Sequence, residues 1–275
     1  MKSVVQNRVC INYCNQASIF VLDCRNKTVD IGFILDNSRS INFYAEDNAW
    51  QRHVLGFVTA LVRRFGVSET NARFGVVDFS SDAELRISID QYTDIGALLP
   101  AIRGLPFVGG RTNIAAGLRT ARTDLFNYTS RPDSQKIAIL FTDGAATDEV
   151  ASTLAEAANL KQAGVEIFTV GVGRADQEEL AKIASLPGKT HNFYVNETEI
   201  RYIYARLDQV VEPLSSAICD LGIDLTTLTT TPVATLITTS PGTPVSSVTT
   251  STGTSRTPAS PVSSTSQFTL PPPGE

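Results

Sequence analysis

Val29 to Ser40 reads V-D-I-G-F-I-L-D-N-S-R-S, and this stretch decides the fold. An apolar run with strand composition ends in Asp36, and Ser38 and Ser40 follow at alternate positions. A run this apolar is a central strand covered on both faces. The carboxylate at its C-terminal end and the two hydroxyls on the next turn then converge on one point. Three hard oxygen donors offered together suit a hard cation such as Mg²⁺ far better than zinc or copper. D-x-S-x-S by itself occurs in many loops, and its weight here comes from two later segments.

Downstream, strand and helix patterns alternate. Asp47 to Phe65 places Val54, Phe57, Val58, Leu61 and Val62 at helical spacing with one buried stripe, and Gly66 ends it. Arg73 to Phe79 is a short strand. Ala83 to Ile89 alternates apolar and polar residues, the mark of a half-exposed edge strand joined to its neighbour by a tight turn at Ser81-Asp82. A short helix covers Ile95 to Ile102, and G-G-R-T-N at Gly109 to Asn113 leads into a helix through about Leu125. Lys136 to Phe141 is a fourth strand ending in T-D-G, Thr142 to Gly144. Thr147 is placed to cap the next helix, with Asp148 and Glu149 in its first turn. That helix runs to about Gln162. Val165 to Val170, a helix over Asp176 to Ser185, Asn192 to Val195 and a helix from Glu197 to about Ile218 complete the pattern. The expected fold is α/β: a three-layer, doubly wound, Rossmann-like and mostly parallel sheet with one antiparallel edge strand.

In a sheet of order 3-2-1-4-5-6, the first and fourth strands flank the point where the winding reverses, and ligands bind at the carboxyl ends of strands there. That order would bring Asp36 and Asp143 together, with Ser38, Ser40 and Thr112 around them. Each acid alone reads as a turn or capping residue; the register makes them a set.

The 275 residues carry a formal charge of −5, and without a dense Lys/Arg patch a nucleic-acid surface is not expected. No apolar run approaches the roughly 18 residues of a membrane span. The N-terminal M-K-S-V-V-Q-N-R-V-C lacks a signal-peptide h-region, and T-L-P-P-P-G-E lacks the hydrophobic tail of a lipid-anchor signal. Cys10, Cys14, Cys24 and Cys219 allow three connectivities. Cys24 precedes the first strand and Cys219 follows the last helix, so a staple across the domain ends is the natural reading; four free cytosolic thiols are the alternative. Sequons at Asn26, Asn127 and Asn196 agree with an oxidising compartment. Leu225 to Pro273 is Thr, Ser and Pro with almost no charge, a mucin-like disordered tail or an unmodified polar linker. Three regions follow: a Cys-containing segment over 1–27, either a local extension or the remnant of a preceding module, a globular domain over 28–220, and the tail over 221–275.

D-N-S-R-S, the Thr of G-G-R-T-N and the Asp of F-T-D-G resemble the metal-ion-dependent adhesion site of von Willebrand factor type A domains. The resemblance covers roughly Asp30 to Cys219, includes I-F-T-V-G-V-G, and is strongest to matrix types such as matrilin and collagen VI domains. It implies that Asp36, Ser38, Ser40, Thr112 and Asp143 hold Mg²⁺ or Mn²⁺, the hydroxyls directly and the aspartates directly or through water. It implies an open coordination position that a partner's Glu or Asp fills. The implied protein is a secreted adhesion module for an extracellular-matrix partner presenting an acidic residue, collagen-like proteins included. It also implies a coupling of the ion to a shift of the last helix, which a Cys24–Cys219 bond would restrain. Arg39 and Arg111 beside the site read as solvated surface, or as groups favouring anionic partners.

Two rival classes remain: a structural matrix module whose metal binds no partner, and a Mg²⁺-dependent hydrolase. The chain has neither G-x-x-x-x-G-K-[ST] nor G-x-S-x-G, and its two histidines, His53 and His191, fall away from the site motifs. No enzyme is expected.

Overall fold

The structure, a computed structural model, describes residues 28–43, 48–127, 131, 133–195 and 206–221, and the backbone of three short strands nearer the N-terminus. Those three, Val4–Val5, Arg8–Cys10 and Phe20–Leu22, form a small antiparallel sheet of their own. The tail from 222 onward, Cys24, and the sequons at Asn26 and Asn196 lie outside the described residues.

The main sheet has six strands: β1 Val29–Asp36, β2 Ala72–Phe79, β3 Ala83–Ile87, β4 Gln135–Thr142, β5 Val165–Val172 and β6 Asn192–Val195. Their order is β3-β2-β1-β4-β5-β6. Every pairing is parallel except β2 with the edge strand β3. The expected doubly wound sheet is therefore present, with the expected antiparallel edge. β1 lies at its centre, all eight of its residues buried, because helices cover both faces.

On one face Val29, Ile31, Phe33 and Leu35 of β1 meet α2 (Leu55–Phe65), α3 (Ile95–Arg103) and α7 (Asp208–Asp220). On the other, Ile34 meets α4 (Ile114–Thr120), α5 (Val150–Gln162) and α6 (Gln177–Ile183). Gly32 shares that second face: a Cβ there would lie 2.5 Å from Leu125 Cδ2 and 2.6 Å from Phe126 Cζ. Glycine thus lets the end of the α4 segment press onto the central strand.

Boundaries shift modestly from the expected ones. The helix into Phe65 opens with a π turn at Trp50–Val54, and α4 ends in another at Ala121–Leu125. Of the last helix, Asp208–Asp220 is described and 196–205 is not. Cys219, near its end, is buried and disulfide-bonded. Among the described residues no helix is long and apolar enough to cross a membrane.

Candidate metal centre

Asp36 is the last residue of β1, and Asp143 follows β4, its parallel neighbour. Parallel strands in register deliver their C-terminal residues side by side, so two acids 107 positions apart in sequence reach one crevice. Ser38 N donates to Asp36 Oδ1 at 2.9 Å, which folds the turn back over the strand end. Ser40 opens the short helix α1 (Ser40–Phe43). The Ser38 and Ser40 hydroxyls lie 2.9 Å apart, and Ser40 Oγ donates to Asp143 Oδ1 at 2.6 Å. Asp36, Ser38, Ser40 and Asp143 thus form one hydrogen-bonded chain.

Thr112 joins this group from the loop before α4. Gly109 and Gly110, at φ 73° and 116°, supply the left-handed backbone that the loop's turn requires. Thr112 N donates to Thr147 Oγ1 at 2.9 Å, and Thr112 O accepts from Thr147 N at 2.8 Å. Its hydroxyl sits 4.0 Å from where a Cβ on Gly144 would be, beside the turn that carries Asp143. All five sequence-designated residues therefore gather at one end of the sheet. Asp36, Ser38, Thr112 and Asp143 are buried, and Ser40 is partly so.

One expectation at this site fails. Thr147 does not cap α5: Glu149 occupies the N-cap position at φ 49° without a side-chain capping bond, and no acid lies in the first turn. Thr147 instead clamps Thr112. Glu149 is drawn aside by Arg119 Nη2 at 2.5 Å and Asn113 Nδ2 at 3.0 Å, which hold its carboxyl below the usual range.

The supporting residues were not singled out from sequence. Thr142 donates its hydroxyl to Asp36 Oδ2 at 2.6 Å; a polar residue closing an apolar strand was the available signal. Asn37 ties three segments together. Its Nδ2 donates to Asp78 Oδ2 at 2.9 Å and to Pro106 O at 3.0 Å, while its Oδ1 accepts from Val108 N at 3.0 Å. Asp78 is in turn gripped by Arg86 Nε at 2.9 Å to both oxygens, against the upward pull of burial on its carboxyl. Arg39 is exposed on this rim, and Arg111, with its side chain 70% exposed, pairs with Asp148 at 3.2 Å.

The electrostatics of Asp36 are unusual. It is fully buried, and among the described residues no ion pair reaches it. Burial first, and the charge of Asp143 second, push its carboxyl up to about 7; hydrogen bonds from Ser38 and Thr142 pull the other way. A dication seated between the acids would counter both causes, so the residues fit such an ion. Among the described residues no group of three or more His, Cys, Asp or Glu side chains is placed to hold a metal ion. The donor set here is hydroxyl-rich, which favours hard cations.

Comparison with known proteins agrees with this geometry. The model of the von Willebrand factor type A domain matches residues 30–206. Human vitrin is 36% identical over 199 residues, covering 71% of this chain and 26% of vitrin. Mouse matrilin-3 is 29% identical over 177 residues, covering 62% of this chain and 35% of that protein. The chain thus spans about a quarter to a third of the length of these relatives. Among solved structures, proximal thread matrix protein 1 from the mussel byssus, with a zinc-occupied MIDAS motif, is similar at TM-score 0.63 and 29% identity, over 72% of this chain and 47% of that one.

Proposed function

This chain belongs to the von Willebrand factor type A domain family, and from that premise we propose that residues 28–220 form a secreted adhesion module for a protein of the extracellular matrix. Asp36, Ser38, Ser40, Thr112 and Asp143 would hold Mg²⁺ or Mn²⁺. The partner presents an acidic residue, on a collagen-like or other matrix protein. Residues 221–275 serve as a stalk, and Cys24 is the disulfide partner of Cys219.

The observation that carries this reading is the buried Asp36 carboxylate, beside Asp143 and without an ion pair among the described residues. An isolated buried charge is costly, and a second acid raises that cost. When bound, the cation supplies the positive charge that lets a partner's carboxylate dock where water is scarce. The chain's own residues do the rest. Thr142 and the Ser38 amide orient Asp36, Ser40 orients Asp143, and Thr147 fixes Thr112. Asn37 holds the surrounding loops that shape the partner's approach.

A hydrolase is disfavoured by the placement of the histidines. His191 is buried just before the edge strand β6, stacked on Phe168 and 2.9 Å from Glu166 Oε1. His53 lies in the π turn before α2. Neither stands beside Asp36.

The test is binding of the secreted chain to immobilised matrix proteins with Mg²⁺, with EDTA, and after Mg²⁺ is restored. The proposal expects loss in EDTA and full recovery. Binding indifferent to EDTA would assign the chain to the structural-module class instead.

A further inference from the structure

At the end of the sheet opposite the metal centre, between the end of the α4 segment and the outer face of α5, lies a cavity of about 650 Å³. Its lining includes Arg122, Thr123, Asn127, Lys136, Asn159 and Gln162. The volume falls within the roughly 300–1,000 Å³ of sites that hold small organic ligands. Its walls are mixed, with apolar surface from Phe126 and Ala163 beside the polar groups. Amides and a hydroxyl offer donors and acceptors together, and Arg122 and Lys136 add donors. Arg122 Nε is buried without a hydrogen-bond partner among the described residues.

Asn127 lies on the cavity wall, is exposed, and opens the sequon Asn127-Tyr128-Thr129. The neighbouring outer surface of α5 carries no charge: Ala158, Asn159, Gln162 and Ala163 are all exposed. That surface continues along the helix through Ala155, Leu154 and Ala151 to Val150, with Leu154 45% and Val150 54% exposed. A sugar has polar edges and apolar ring faces. This cavity, with an uncharged ledge beside it, matches both.

We propose that Asn127 carries an N-linked glycan whose first sugars seat in this cavity, so that the carbohydrate packs against α4 and α5 instead of standing free in solvent. This rests on the secreted character proposed above and not on the metal site. In the covalent step the Asn127 amide nitrogen attacks the anomeric carbon of an oligosaccharide carried on a lipid diphosphate. The N–C bond forms as the C–O bond to the diphosphate breaks. The lipid diphosphate leaves with the bonding pair, and one amide proton passes to a base.

The experiment expresses the full chain through a secretory pathway, measures glycopeptide mass at each sequon, and follows release of the Asn127 glycan by peptide-N-glycanase from the native protein. The comparison is the Asn159→Ala, Gln162→Ala variant, which leaves the sequon intact and alters only exposed side chains. The net worth of a couple of hydrogen bonds corresponds to about tenfold slower release from the unsubstituted chain than from the variant. After denaturation the two should release alike. Equal native rates would overturn the seat. An unmodified Asn127 would overturn the whole proposal; if Asn26 or Asn196 carried glycan, the secreted reading would stand. EDTA sensitivity of ligand binding reads the metal centre separately.

Discussion

Asp30 and Asp36 stand six residues apart on the same strand and the same face, and both are fully buried. Their surroundings are opposite. Asp30, at the start of β1, is bound by the Arg131 guanidinium and the Ser134 hydroxyl. Arg131 also donates to Val29 O at 3.0 Å and to Asn71 O at 2.8 Å, so one side chain neutralises the acid and ties β1 to the chain entering β2. Asp36, at the other end, has hydroxyl and amide donors and faces Asp143. One end of the strand carries its own cation; the other, on the proposed function, takes one from solution. A buried carboxylate is therefore not by itself a sign of function. What separates the two is whether the fold supplies the compensating charge.

The largest effect that follows falls on binding. Asp36→Ala, Thr112→Ala and Asp143→Ala should each abolish divalent-dependent ligand binding while the domain stays folded, read by titration of immobilised ligand alongside circular dichroism. EDTA-sensitive binding retained in all three would erase the contrast between the strand ends. Next comes Arg131→Met. It removes the guanidinium that neutralises buried Asp30 and should cost about 3–5 kcal/mol of stability, measured by denaturant unfolding, with Mg²⁺-dependent binding intact under native conditions. Loss of binding without loss of stability would show that the two ends are not separate in role.

The smallest effect is a pH dependence. An unperturbed aspartate titrates near about 3.9, whereas Asp36 is pushed up to about 7. As pH rises, the unfolded chain loses this proton before the folded one does, so the folded state is progressively penalised. In chelator, Asp36's contribution should be absent below pH about 4, grow more unfavourable toward 7, and level off above it. Saturating Mg²⁺ should flatten the profile, and Asp36→Asn should remove this component in chelator. A thermal-unfolding midpoint that falls equally with and without Mg²⁺ over that range would locate the titration elsewhere.

The sequence by itself determined the architecture and singled out the five positions of the proposed metal site. Continuous apolar runs in β1, β4 and β5 require a sheet covered on both faces, and the alternation of Ala83 to Ile87 requires an edge. These are local patterns, set by periodicity, and the structure keeps them in place. Strand order then follows from winding rules, which put Asp36 beside Asp143 without any knowledge of contacts. What only the tertiary structure decided is who holds whom. Arg131 reaches Asp30 across 101 positions, Thr142 reaches Asp36 across 106, and Asn37 reaches Pro106 across 69. Thr147 looked like a helix cap because capping is local chemistry; its hydroxyl went to Thr112, 35 positions away. Hydrogen-bond donors choose partners by distance in space, and a spacing along the chain carries no information about that distance until the sheet has closed.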